Sequence, residues 1–418
     1  VSLLSGLSPR PGDSCIKLSI FYRVTAAVGL QYTYATEDVR MNASTRSTLR
    51  AGIRVAAEHP SLLLWYLRNR VRNSLLPLEG AFGGGKSLSP RFITLKPTLR
   101  CNLRCEFCRF VASGDVFGKR DWLEIEDWKR VVDEIAPFRP YVCLTGGEPT
   151  MYPPLPELVA HVKARGLVCA LTTNGTMLES RAEALMKAPP DLLILSLDGP
   201  REVHNRVRGA AGAYERALKG VRKLAALRKG PGPPYLIVNA AITGHTYGTA
   251  REMVRVAREF GARALNFQHF WFLTPGMVEA HNARWGECFP IDYDQAGGTG
   301  TEGVDTDQLW ETVRRLKDED SGLPILFYPD LDREAMRTYY AEPETFTHRS
   351  TPTCAWVGTD ILPNGDVSPC FDLVCGNVLR EPFSAIWNGP AFQQHRRRLA
   401  GHGPYPVCAR CCAYFRRD

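Results

Sequence analysis

From residue 91 onward, short apolar runs rich in β-branched and aromatic residues alternate with longer stretches of helical periodicity. The runs fall at 92–95, 141–145, 167–172, 192–197, 235–242 and 264–267, and the helical patterns at 128–135, 155–164, 181–187, 214–227 and 250–260. Six strands separated by helices predict an α/β fold with a parallel sheet, because same-sense neighbours need a long crossover. Right-handed crossovers wind such strands into an open sheet or a partial (β/α)6 barrel of the TIM type. Either arrangement puts functional residues just past the strands' C-terminal ends. Residues 270–305 are aromatic and Gly-rich without periodicity and read as a long loop, a lid or substrate-binding segment. One more helix is predicted at 308–317.

The segment before the barrel differs. Residues 44–58 read as a helix, His59-Pro60 breaks it, and 61–73 reads as a second helix mixing basic and apolar residues. Gly83-Gly84-Gly85 then marks a joint. The expected organisation is an uncertain leader at 1–40, a basic helical extension at 41–90, a core at 91–270, a loop-rich bridge at 271–349 and a Cys-bearing region at 350–418. Residues 1–40 contain no Met, so Val1 reads as an alternative start codon, or Met41 as the true start. A signal peptide fits poorly, because no compact apolar run follows an early basic patch.

Composition narrows the class. The 418 residues are 44% hydrophobic and 23% charged, an ordinary globular mix that excludes collagen-like and largely disordered chains. No run approaches the roughly 18 apolar residues that span a bilayer. The net charge of +8 is matched by residues 41–100 alone, with ten Lys/Arg against two Glu. Such a stretch is a solvated basic face, or one that meets phosphates or an anionic membrane surface. Nucleic acid is disfavoured, because aromatic residues are not interleaved for base stacking.

Cysteine changes the picture most. Of 13, nine fall in two clusters: Cys101, Cys105 and Cys108, then Cys354, Cys370, Cys375, Cys408, Cys411 and Cys412. Clustered thiols in a long chain point to metal in a reducing cytoplasm. The first cluster, C-x3-C-x2-C, follows the first strand directly. Zinc takes four ligands and this spacing supplies three, whereas three thiolates can hold three irons of a cubane and leave the fourth open. Zinc remains the rival.

That spacing, with Phe107 before the third Cys, resembles the radical S-adenosylmethionine (SAM) superfamily. The resemblance extends to Gly146-Gly147-Glu148 after the second strand, Thr173-Asn174 after the third, and Ser196 and Arg208 around the fourth. It implies a [4Fe–4S] cluster on the three cysteines, whose open iron chelates SAM, and a 5′-deoxyadenosyl radical that abstracts hydrogen from an unreactive C–H bond. Glu148 would set negative charge beside the SAM ammonium, Ser196 and Arg208 would contact ribose and carboxylate, and the glycines would let backbone approach the ligand. Asn205 stands where many relatives carry Asp and receives no role.

In the C-terminal region, Pro363-Asn364-Gly365-Asp366 reads as a hairpin turn that brings Cys354 and Cys370 together. With Cys408 and Cys411, the arrangement is similar to the SPASM and twitch extensions of that superfamily, although the full seven-Cys set is absent. The resemblance implies one auxiliary cluster on Cys354, Cys370, Cys408 and Cys411, with structural zinc the alternative on the same thiols. Cys375 is a spare ligand, an inert thiol or a hydrogen donor, and Cys412 is spare. Asp372 is a candidate base, as are His281 and Asp292. Cys143 and Cys169 lie within strands and read as core.

The expected function is therefore a radical SAM oxidoreductase, cytoplasmic or peripheral to the inner membrane face. Its substrate would be a small molecule such as a sugar or aminocyclitol, or a lipid-linked molecule, and its electron donor a flavodoxin- or ferredoxin-like protein. Alternatives are a radical epimerase with Cys375 as donor, a peptide-modifying maturase and a non-enzymatic iron–sulfur electron carrier.

Overall fold

The computed structural model describes residues 60–108, 123–230, 232–292, 300–347, 352–370 and 372–413. The expected leader, the expected helix at 44–58 and Cys15 lie outside them. Helices α1 (Pro60–Ser74) and α2 (Leu76–Phe82) precede the barrel. Strand β1 (Phe92–Thr98) leads to α3 (Ile125–Ile135), β2 (Tyr141–Gly146) to α4 (Leu155–Ala164), and β3 (Val168–Thr173) to α5 (Leu178–Leu185). Strand β4 (Leu192–Ser196) is followed by α6 (Arg201–Val207) and α7 (Ala213–Leu227), and β5 (Tyr235–Ile242) by α8 (Met253–Glu259). Strand β6 (Ala264–His269) is followed by α9 (Pro275–Trp285) and α10 (Thr306–Asp318), then β7 (Ile325–Tyr328) and α11 (Arg333–Ala341). The C-terminal region holds α12 (Cys354–Val357), β8 (Gly358–Ile361), β9 (Asp366–Ser368), β10 (Gly376–Asn377), α13 (Phe383–Trp387) and α14 (Pro390–His402).

Strands β1 to β7 are parallel, each bonded to the next in sequence. This is the partial barrel expected from the alternation, extended by β7. The seventh strand is four residues between Pro324 and Pro329, too short to show alternation. The bridge expected to be loop-rich carries α9, α10, β7 and α11. Helix α9 escapes the periodicity reading because Pro275 and Gly276 open it; its start is fixed by Thr274, whose hydroxyl accepts from the Met277 amide.

Strands covered on both faces need continuous apolar runs, and Tyr141 to Leu144 of β2 are all buried. Helix α3 seals them with Trp128, Val131, Val132 and Ile135 at helical spacing. Each such side chain contributes roughly 1.5–3 kcal/mol of burial before entropy is counted. Cys143 and Cys169 are core thiols, as expected.

The floor of the barrel is closed by α1. Leu62 and Trp65 pack against the first residues of β2 to β6, namely Tyr141, Val168, Leu192, Tyr235 and Ala264. At the other edge, β8 pairs parallel to β1, and β9 folds back antiparallel on β8. The turn between β8 and β9 is the expected one, with Gly365 at φ +86° and the Asp366 amide bonded to Asn364 Oδ1.

Four histidines are buried, His204, His269, His281 and His395. Burial pushes His269 and His395 down to about 3 and His204 well below the ordinary imidazole range. In the unfolded chain each takes a proton near pH 6.5, whereas the folded chain resists it. Their contribution to stability is therefore whole above about pH 6.5 and is lost as pH falls, at roughly 2 kcal/mol each for His269 and His395 by pH 5. Thermal melts at pH 7.5 and 5 check this: His395→Gln is expected to lose less Tm between the two than wild type, and an equal loss would refute the assignment.

Candidate active site

The first cysteine cluster lies on the loop that leaves β1 and crosses the C-terminal edge of the sheet. Two clamps hold this loop. On one side the Gly147 amide donates to the Thr98 carbonyl at 3.0 Å and the Glu148 amide to the Arg100 carbonyl at 2.8 Å. On the other, Glu106 N–H donates to the Val207 carbonyl at 3.0 Å. The glycines serve this close passage. A Cβ on Gly146, which sits at φ +128°, would lie 2.4 Å from the Thr98 oxygen. One on Gly147 would lie 2.2 and 2.3 Å from the oxygens of Leu99 and Arg100. The resemblance implies that these glycines admit a ligand; the close passage of the cluster loop is a second reason for them.

Cys101, Cys105 and Cys108 face a cavity of about 320 Å³ at the strands' C-terminal ends. The same cavity is lined by Gly146, Gly147, Glu148, Thr173, Asn174, Ser196 and Arg208, so every residue expected at the SAM site converges there. Burial pushes the Cys101 thiol up to about 11, with Glu148 and the other two cysteines adding to it. Thiols this reluctant to ionise lose their protons to bound metal rather than to water. Three sulfurs on one wall are the donor set that a three-thiolate cubane requires.

Glu148 lines the cavity and is also bonded within the protein. It is 1% exposed, and its carboxylate accepts from the Thr150 amide (3.0 Å), the Thr150 hydroxyl (2.5 Å), the Thr173 hydroxyl (2.7 Å) and the Asn174 amide (2.7 Å). Burial raises its pKa and these bonds oppose the rise. The group ties the end of β2 to the end of β3. Asn174 extends the tie, donating to Asn102 Oδ1 of the cluster loop at 3.0 Å.

Arg208 is organised by a residue the sequence reading passed over. Asp198 pairs with it at 2.6 Å and accepts from the Ala241 amide at 3.0 Å. Arg208 Nη1 then lies 3.7 Å from Cys105 Sγ, and its guanidinium 5.6 Å from the Phe107 ring centre. Burial works against the Arg208 charge, but Asp198 and Cys105 outweigh it and hold the pKa above the ordinary arginine value. The cavity also takes in Asn239 and Gln268, joined by a 3.4 Å hydrogen bond. Asn239 carried a signal as the one polar position inside the otherwise apolar β5, whereas Gln268 is one of three polar residues in β6, with Asn266 and His269. Asn205 has a local role, accepting from the Tyr214 amide at 2.9 Å where α7 begins.

In the C-terminal region the hairpin, α12 and the 408–411 turn set Cys370 within reach of the charges of Cys354 and Cys408, and Cys411 within reach of those of Cys370 and Cys408. Burial and one another's charge push the Cys370 and Cys408 thiols upward; Cys411 is raised first by its hydrogen bond with Cys412 and then by burial. Arg410 fastens this turn to the barrel, donating to the carbonyls of Thr338, Tyr339, Glu342 and Thr345 around the end of α11. Cys375 is buried in the core near Arg396 and is pushed up to about 12 by burial. Neither Cys375 nor Asp372 lines the barrel cavity. Of the other candidate bases, His281 is fully buried and bonded through Nε2 to the Phe289 carbonyl at 2.8 Å, and Asp292 is exposed.

Comparison with known proteins agrees with this division. The radical SAM superfamily pattern matches residues 95–260, and an iron–sulfur cluster-binding domain, SPASM, matches residues 354–412. The AdoMet-dependent heme synthase of Methanosarcina barkeri is 28% identical over 332 residues, 77% of this chain and 88% of that protein. The PqqA peptide cyclase of Granulibacter bethesdensis is 31% identical over 323 residues, 73% of this chain and 76% of that protein. Among solved structures, SuiB of Streptococcus suis bound to S-adenosylmethionine superposes with a TM-score of 0.56 at 16% identity, covering 92% of this chain and 78% of that one, a likeness of fold. With the cavity, the cysteine sets and these matches together, the chain belongs to the radical SAM superfamily, with a C-terminal SPASM region, and its cofactors are SAM, a [4Fe–4S] cluster and an auxiliary iron–sulfur cluster.

Proposed function

We propose that this enzyme removes two electrons from an unreactive C–H position of a small organic molecule, with a porphyrin-type macrocycle as the substrate class. The observation that carries the reaction is the convergence of Cys101, Cys105 and Cys108 with Ser196 and Arg208 on one cavity. In this reading those cysteines hold the SAM-cleaving cluster, and Cys354, Cys370, Cys408 and Cys411 hold the auxiliary one. When bound, these groups supply one-electron reductive cleavage, hydrogen-atom abstraction and a sink for the second electron. The chain's own residues position: Arg208, fixed by Asp198, offers a permanent charge to a carboxylate, and Ser196 a hydroxyl to a ribose.

The substrate class draws support from the heme synthase relative and from the cavity wall. Phe107, Phe270 and Trp271 give that wall flat apolar surface, with Phe107 and Phe270 ring centres 5.4 Å apart. A peptide is the second reading, favoured by the similarity to a peptide cyclase. A lipid-linked substrate draws no support from the basic helices, because α1 lies at the opposite end of the barrel from the cavity. Oxidation is favoured over epimerisation because Cys375 is not among the cavity residues.

The test is anaerobic turnover with SAM and reductant in deuterated water, read by mass spectrometry with a porphyrin, a short peptide and an aminocyclitol in turn. The porphyrin is expected to raise 5′-deoxyadenosine release and to yield a product short of two hydrogens, in wild type and in Cys375→Ala. Turnover of the peptide alone overturns the substrate class. Deuterium at an inverted carbon, lost in Cys375→Ala, overturns the oxidation.

A further inference from the structure

Helix α1 packs on the barrel through one side only. Its opposite side, continued through Leu75 and α2, exposes Leu64, Leu67, Val71, Leu75, Leu78 and Phe82. Their spacing of three and four residues is that of a single helical stripe. Leu64 and Val71 are 68% and 67% exposed and Phe82 84%. Other large exposed apolar side chains are rare among the described residues, so the stripe is a concentration rather than the usual scatter.

Charge says what covers it. Arg68, which is exposed, falls on the flank of the stripe, where a long cationic side chain can reach past an apolar contact. The only acidic residue between Pro60 and Leu88 is Glu79, which is buried and bonded to Arg91 at 3.0 Å. A complementary surface must therefore be apolar and negatively charged. The chain's own residues 44–58 are a poor cover, because they carry three Arg against one Glu and would set like charge on like. A second copy of the same face has the same defect.

We propose that α1 and α2 form a docking surface for an anionic phospholipid bilayer, with the stripe entering the acyl boundary and Arg68 meeting headgroup phosphates. Because α1 closes the floor of the barrel, the bound protein turns its catalytic cavity away from the bilayer. The surface thus serves location, and substrate and electron donor reach the cavity from the aqueous side.

The experiment is co-sedimentation of the full chain with vesicles of phosphatidylcholine alone or with about one-third phosphatidylglycerol. Wild type is expected to bind the anionic vesicles at least tenfold better than the neutral ones, and to be released by high salt. Val71→Glu with Phe82→Glu is expected to abolish binding while leaving 5′-deoxyadenosine release unchanged, which also shows that the variant is folded. Equal binding to both vesicles, or anionic binding that survives the double substitution, overturns the proposal. So does a wild-type dimer that the substitution dissociates, or deuterium-exchange protection of α1 that requires residues 44–58.

Discussion

Replacing Cys105 by Ala is expected to abolish reductive SAM cleavage while leaving the C-terminal cluster in place. Cys105 is 7% exposed, packed with Leu103 and Ala213, and sits 3.7 Å from Arg208. Losing one small buried side chain costs on the order of 1 kcal/mol, too little to unfold the chain. Losing one of three thiolates instead leaves a cubane with two protein ligands, which is not a stable set. Iron is therefore expected to fall by about four per chain, and 5′-deoxyadenosine release by at least about a thousandfold. Cys411→Ala should do the converse, removing auxiliary iron while 5′-deoxyadenosine still forms without completed product. Cleavage that persists in Cys105→Ala would mean that the open-iron assignment is wrong.

Gly147→Ala is expected to be nearly as damaging, for a reason that involves no ligand. Gly147 does not occupy the left-handed region, so its backbone would accept alanine; the obstacle is the added carbon, 2.2 and 2.3 Å from two carbonyl oxygens of the cluster loop. Both obstructing atoms are backbone, so the loop itself must move, at a cost of about 1–3 kcal/mol. That shift displaces Cys101 relative to Cys105 and Cys108. Barrel-site iron and SAM cleavage are expected to fall together, by tenfold or more. Gly401→Ala in α14 is the control: a Cβ there meets nothing within 4 Å, and helix propensity favours the change by up to about 1 kcal/mol. Wild-type iron content and cleavage in Gly147→Ala would show that the close passage does not set the loop.

The two substitutions also separate what local pattern reveals from what it hides. The convergence of Cys101, Cys105 and Cys108 on the cavity was legible because it follows from their spacing along one loop. Gly146, Gly147 and Glu148 were legible as a motif, but their contacts within the protein were not: the glycines admit a neighbouring segment, and Glu148 accepts from Thr150, Thr173 and Asn174. Asp198 stood inside a recognised motif and drew no attention, because its importance lies in pairing with Arg208 ten residues on. Arg410 gave no signal at all. Its partners are backbone carbonyls around α11, some seventy residues earlier, and backbone acceptors have no sequence signature.

By itself the sequence determined the alternation of strand and helix, hence a parallel sheet, and the two sets of thiols with the cluster chemistry they imply. Those properties follow from periodicity and short-range spacing, which are written locally. The tertiary structure decided which polar groups are already used by the protein and which remain for a ligand, that Cys375 sits away from the cavity, and that α1 turns one face to the barrel and leaves the other bare. Burial and pairing are properties of neighbours distant in the chain, so only folding could assign them.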